Sequence, residues 1–218
     1  MSDTLGLLAL VASWAVYAAI HSLLASHWVK GRLAARCPRC LSGYRLFYNL
    51  LALGLLSVPL WLTFGLPGEP LWQWQGALAW LANGLAVAAL VGFVYSLRFY
   101  DGSGFLGLRQ LREGHRELGE PEGLCISPLH RWVRHPWYTL GLVILWTRDM
   151  NAPLLVTALV ITAYFALGSR LEERKLLAQY GEAYARYRAA VPGLLPRPWR
   201  RLSAARAAEL ERLARHPG

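Results

Sequence analysis

Long uncharged apolar runs constrain this chain more than any other feature. Leu5 to Leu24 is about 20 residues without a charge, enough to cross a hydrocarbon core of ~30 Å as a helix. A second run extends from Leu46 to Phe64 and a third from Gly76 to Leu97. A shorter fourth, Trp137 to Thr147, is separated from a fifth, Pro153 to Ser169, by Arg148, Asp149, Met150 and Asn151. The last two read as a tight helical hairpin. One such run fits a buried soluble core; several within 218 residues do not. Charged residues are only 17% of the chain and the mean hydropathy is +0.29, against about 25% charged in ordinary soluble domains. The expected fold is therefore all-α: a polytopic membrane protein of about five transmembrane helices with a cytoplasmic C-terminal helical region.

A net charge of +10 first suggests nucleic acid, so its distribution decides. Lys30, Arg32, Arg36, Arg39 and Arg45 lie between runs one and two. Between runs two and three there is no Lys or Arg, only Glu69, with Trp61, Trp72 and Trp74 as interface anchors. Arg98, Arg109, Arg112, Arg116, Arg131 and Arg134 follow run three, and more follow Ser169. This alternation obeys the positive-inside rule. It places the N-terminus outside, the 27–45 and 98–136 loops inside, and the C-terminus in the cytoplasm. The basic charge thus reads as topology plus attraction to anionic membrane lipid, and no nucleic-acid partner is expected. The N-terminus lacks the basic region of a cleavable signal and carries Asp3. Cys37, Cys40 and Cys125 all fall in expected cytoplasmic loops, where thiols stay reduced. Only Lys30 and Lys175 are lysines, which hints at a GC-rich bacterial genome.

No internal repeat or low-complexity linker appears. Residues 1–97 read as a three-helix transmembrane part, and 98–218 as one structural unit of polar loop, hairpin and C-terminal helices. Leu171, Leu176, Leu177, Tyr180, Tyr184 and Tyr187 recur at helical spacing among charges, so an amphipathic helix should continue out of run five. Gly181 is a point of interruption, and Pro192, Pro196 and Pro198 end the pattern. The Ala/Arg-rich stretch Leu202 to Leu213 reads as a helix lying on the membrane surface. Polar residues inside the runs are costly in lipid. Ser13, Tyr17 and His21 share a face of run one, Arg45 and Asn49 a face of run two, and Asn83 lies in run three. They serve either as interhelical hydrogen bonds or, for His21, Arg45 and Asn49, as the lining of a substrate cavity open to the cytoplasm.

Two motifs mislead. Gly102-Ser103-Gly104-Phe105-Leu106-Gly107 matches the dinucleotide fingerprint, but an apolar helix precedes it where a strand is required. The glycines are better read as the chain's turn on leaving the bilayer. Cys37-Pro38-Arg39-Cys40 has zinc-like spacing but lacks a second ligand pair, so no metal is expected.

The informative constellation is Arg134-His135-Pro136-Trp137-Tyr138 with Leu171-Glu172-Glu173-Arg174. Pro136 suits the first turn of a helix. A helical hairpin returns its ends to one surface, so an arginine, a histidine and two carboxylates should converge where run four begins and run five ends. Mutually neutralising interfacial charges are the plainer reading of the same spacing, and Arg215-His216-Pro217 repeats the short motif in the tail.

The compound pattern, extended through Tyr180-Gly181-x-x-Tyr184-x-x-Tyr187-x-x-x-Val191-Pro192, resembles the integral-membrane methyltransferases related to isoprenylcysteine carboxyl methyltransferase. It covers about residues 124 to 198. Phe105-Leu106-Gly107-Leu108-Arg109-Gln110, Leu171-Glu172-Glu173-Arg174, Tyr187-Arg188 and Leu194-Leu195-Pro196 resemble, more narrowly, the bacterial methanethiol S-methyltransferase group and the related NnrU-like proteins. One departure is that Thr139 and Leu140 precede Gly141, displacing the glycine that usually follows the motif tyrosine.

This resemblance implies an enzyme of the bacterial inner membrane that uses S-adenosyl-L-methionine without a Rossmann domain. It makes His135, Pro136, Tyr138, Gly141, Glu172, Tyr184 and Tyr187 the expected cofactor-binding residues. Arg134, His135, Glu173 and Arg109 are the expected catalytic ones. Methyl transfer from a sulfonium is an in-line displacement in which positioning supplies most of the acceleration. The expected acceptor is small or lipophilic, first a thiol; a prenylated cysteine or phospholipid amine remains open. Two other readings stay beside it: an NADPH-dependent membrane reductase, for which the chain is short, and a non-enzymatic NnrU-like protein.

Overall fold

The computed structural model describes residues 3–114 and 123–215. Arg116 and the His216-Pro217 repeat lie outside the described residues. The elements run α1 (Asp3–Ala25), α2 (His27–Arg36), α3 (Leu41–Gly65), β1 (Pro70–Trp72), α4 (Gly76–Ser96), α5 (Gly102–Leu106), α6 (Leu108–Glu113), α7 (Pro136–Trp146), β2 (Met150–Asn151), α8 (Ala152–Ala190) and α9 (Ala204–Arg215). The protein is all-α and polytopic. Four segments are long and apolar enough to cross a membrane: Thr4–Ala25, Pro38–Gly65, Gly76–Phe99 and Ala152–Ala190. Their exposed side chains are those a lipid solvent favours, with Leu53, Phe64, Trp80 and Val91 all largely exposed; a water-facing helix would not expose so many large apolar side chains. Helix α7 has 11 residues, about 16 Å of rise, and is too short to cross alone.

The chain forms two compact units. The first comprises residues 1–74, 100–120 and 149–160. Here α1 packs on α3, and α3 on the short α5 and α6. Pro59 sits inside α3, and beside it the Thr63 hydroxyl donates to the Pro59 carbonyl at 2.7 Å and lies 2.7 Å from the Thr157 hydroxyl. Trp14 Nε1 donates to Thr157 Oγ1 at 3.0 Å, so a buried polar knot ties α1, α3 and α8. The polar break between the last two apolar runs forms the β2 strand. It pairs antiparallel with β1, while Asp149 accepts from the Trp74 amide at 2.9 Å. The two loops expected on the non-cytoplasmic side therefore bond to each other.

Near the other end of α3, the glycine-rich motif forms the short helix α5 and its Gly107 cap, and no strand. Asp101 caps α5 through the Ser103 amide, and Gly107 closes it at φ +88°. A Cβ at Gly107 would stand 2.6 Å from the Leu46 amide nitrogen, so only glycine fits there. Ser26 caps α2. Cys37 and Cys40 face each other as a disulfide pair across one short turn, in contrast to the reduced thiols expected; Cys125 forms no disulfide and is exposed.

The second unit comprises residues 75–99, 121–148 and 161–218. Helix α4 packs on α7, with Trp137 Nε1 donating to Ser96 Oγ at 2.7 Å. Helix α8 runs on well beyond the apolar stretch and bends at Gly181, whose φ 53° and ψ −126° are non-helical. Beyond the bend, Tyr184, Tyr187 and Val191 form one face of a core with Leu124, Ile126, Leu202, Ala207 and Leu210. Helix α9 thus spends its apolar face on protein, with Leu210 only 1% exposed. That corrects the membrane-surface reading of this stretch: an amphipathic pattern records that one face is buried, not what buries it.

Candidate functional site

The site grows from a helix start and a helix face in the second unit. Pro136 opens α7, and His135 immediately precedes it. The Arg134 and His135 amides donate to the Pro192 and Gly193 carbonyls at 2.9 and 3.2 Å, and Thr139 Oγ1 donates to the Leu194 carbonyl at 2.6 Å. The segment after α8 is therefore stitched to the start of α7. Glu172 and Glu173 come from the adjoining part of α8.

His135 lies between the two carboxylates. Its Nε2 is 3.0 Å from Glu173 Oε1, and its Nδ1 is 3.4 Å from Glu172 Oε2. Burial would favour the neutral ring, but hydrogen bonds to Glu172 and then Glu173 override it and raise the His135 pKa. Arg134 grips the same Glu173 oxygen through Nε at 2.8 Å and Nη2 at 2.7 Å. Its Nη1 donates to the Arg188 and Val191 carbonyls, closing the C-terminal end of α8. Both side chains of the Arg134–Glu173 pair are only 13% and 12% exposed, whereas Glu172 is 48% exposed. Tyr138 stacks on His135 at 5.4 Å and on Phe165 at 4.4 Å, and its hydroxyl reaches Glu172 Oε2 at 3.4 Å. Gly141 lies against Phe165.

Tyr184 and Tyr187 are edge-to-face at 5.8 Å. Tyr187 donates to the His130 carbonyl at 2.7 Å. The Tyr184 hydroxyl is buried without a hydrogen-bond partner among the described residues. His130, Phe165 and the Pro192–Leu194 carbonyls escaped the sequence reading. His130 sits 2.7 Å from Ser127 Oγ. Burial, helped by the charge of His135, lowers its pKa to about 4. Its position five residues before His135 was the only available signal.

The remaining expected residues belong to the first unit. His21 Nε2 is 2.7 Å from the Tyr48 hydroxyl, and its ring stacks on Tyr17. Asn49 Nδ2 donates to the Phe105 carbonyl at 3.0 Å. Arg45 backbone lies against Gly107. Arg109 pairs with Asp101 at 2.6 Å, and Asp101 has a lowered pKa, chiefly through its hydrogen bond from Ser103.

The sequence profile described as "NnrU protein" matches residues 9–149. The chain belongs to the NnrU family. The family match includes Arg134, His135 and Tyr138 and ends before Glu172 and Glu173. Among the family member's curated relatives, methanethiol S-methyltransferase 2 of Bradyrhizobium diazoefficiens is 34% identical over 185 residues, 84% of this chain and 70% of that protein. The methanethiol S-methyltransferase of Mycobacterium tuberculosis is 32% identical, with 85% and 76% covered. That of Crocosphaera subtropica is 29% identical, with 83% and 71% covered. No solved structure matches the chain.

Proposed function

We propose that this NnrU-family protein is a membrane methyltransferase that S-methylates a small thiol, with S-adenosyl-L-methionine as donor. The supporting observation is the Arg134–Glu173–His135–Glu172 network under Tyr138, in a chain about one-third identical to proteins named methanethiol S-methyltransferase.

The residues fit such a donor. The buried, unpartnered Tyr184 hydroxyl is an orphan polar group of the kind a bound ligand satisfies. Glu172 is half-exposed and suits ribose hydroxyls or an ammonium, and the Tyr138 face suits an adenine or a sulfonium. Tyr187, Pro136 and Gly141 complete the proposed donor-binding set. When bound, the donor supplies an electrophilic methyl group on a cationic sulfur.

The chain's own contribution is positioning. His135, with a carboxylate on each ring nitrogen and a pKa raised by them, orients Glu172 and Glu173. Arg134 offsets the second carboxylate and fixes the end of α8 against the start of α7. Within the first unit, we propose His21, Arg45, Asn49 and Arg109 as acceptor-binding groups. A thiol reacts as its thiolate, and nearby cations such as Arg109 favour that form. We further propose that the protein sits in the bacterial inner membrane with its C-terminus in the cytoplasm.

Calorimetry on the detergent-purified protein tests the donor. S-adenosylmethionine or its demethylated product should bind at micromolar affinity, at least tenfold more weakly to Glu172→Ala. No binding by folded protein, or binding of NADPH instead, would overturn the proposal.

A further inference from the structure

A second cationic site lies outside the carboxylate network. Arg131, Arg201, Leu202, Ser203 and Ala204 line an open surface recess of about 290 Å³, near the lower end of the ~300–1,000 Å³ range of small-ligand sites. Two arginine side chains line it, and among the described residues neither has a carboxylate partner. Arg131 is held by one donor, its Nε, which bonds to the Leu202 carbonyl at 3.0 Å; its two Nη groups keep their hydrogens for a ligand. Arg201 lies over the Trp132 ring at 4.6 Å, a contact that fixes the side chain and consumes no donor.

Among the described residues, three other arginines of the unit carry a carboxylate partner: Arg134 is matched by Glu173, Arg186 by Glu182 and Arg206 by Glu209. Helix α9 begins at Ala204, so the first amides of a 12-residue helix add to the same positive field. Planar forks of this kind match phosphate oxygens two at a time. The surroundings are interfacial: Leu195 and Trp199 are 75% and 80% exposed, and Arg131 stands five residues ahead of the apolar helix α7. Exposed Trp beside arginine is the composition of a headgroup-level surface.

We propose that the Arg131–Arg201 recess binds the phosphate group of an anionic phospholipid, holding the C-terminal segment at the membrane surface. Native mass spectrometry of the full chain with phosphatidylglycerol, and phosphatidylcholine as control, tests it. Wild type should retain phosphatidylglycerol about tenfold better than the control lipid. Arg201→Gln should lose that preference and Arg201→Lys should keep most of it, with S-adenosylmethionine affinity unchanged in both. Arg131→Gln provides a second variant, and circular dichroism confirms that each is folded. Equal retention of both lipids by wild type, or undiminished preference in both glutamine variants, would overturn the site. Displacement of the lipid by millimolar inorganic phosphate would assign the recess to a soluble anion and overturn the lipid source. Loss of S-adenosylmethionine binding in Arg201→Gln would assign it to the methyl donor and overturn the proposal equally.

Discussion

At the scale of single residues, Glu173 is the hinge of the network because one oxygen receives both Arg134 and His135. Removing one partner of a buried ion pair costs about 3–5 kcal/mol, since the remaining charges keep their desolvation penalty. Glu173→Ala should therefore lower the melting temperature sharply in detergent, whereas Glu172→Ala, at a half-exposed side chain, should leave it nearly unchanged while weakening donor binding. The two histidines act oppositely with pH. The His135 pKa is raised, so its contribution is complete below about pH 6.5 and is lost as pH rises through the raised value. The His130 pKa falls to about 4, so its contribution holds above about pH 6.5 and is lost between there and pH 4. Melting temperature against pH should fall on both sides; His130→Asn should flatten the acid limb and His135→Gln the alkaline one. The meeting of Arg134 and His135 with the paired glutamates was legible, because a hairpin returns its ends together. That Arg134 also holds the α8 carbonyls was not, since backbone acceptors carry no side-chain signature.

Among the elements, the bend in α8 carries most consequence. Gly181 adopts φ 53° and ψ −126°, a region essentially closed to residues with a Cβ. Gly181→Ala should destabilise the protein by roughly 1–3 kcal/mol and disturb Tyr184 and Tyr187 just beyond it. A melting temperature and donor affinity both equal to wild type would show that the bend is dispensable. Helix α9 gives a complementary test: Leu210 is almost fully buried, and Leu210→Ala should cost about 2–5 kcal/mol by opening a cavity. A helix lying on lipid would lose far less. The interruption at Gly181 and the stop at the prolines were visible as pattern breaks. The burial of α9 was not, because lipid and protein select the same apolar face. The glycine-rich motif was correctly disqualified as a dinucleotide loop by the apolar run before it, yet the clash that demands Gly107 depends on α3, which sequence spacing does not place.

For the whole molecule, hydrophobic run length made the membrane class legible, because backbone groups in lipid must bond within their own helix. Helix α7, matching the short run Trp137–Thr147, is too short to span by itself, and in the proposed orientation it makes a fifth passage together with the residues flanking it. The positive-inside alternation supports the proposed orientation, and the β1–β2 pairing is in keeping with it by joining the two loops of low basic charge. A fluorescent protein fused after Gly218 should therefore fluoresce in bacterial cells, and a periplasm-dependent phosphatase at the same point should stay inactive; the reverse result would invert the proposed topology. The division into two units was not legible, since it follows contacts between distant stretches of chain. The most direct measurement is turnover: purified protein given S-adenosylmethionine and methanethiol, with dimethyl sulfide followed in the headspace. Formation of dimethyl sulfide at many turnovers per enzyme, at least tenfold slower in Glu172→Ala, is the expected result. Folded wild-type protein that binds S-adenosylmethionine yet methylates neither methanethiol nor any other small thiol would contradict the assignment as a thiol methyltransferase.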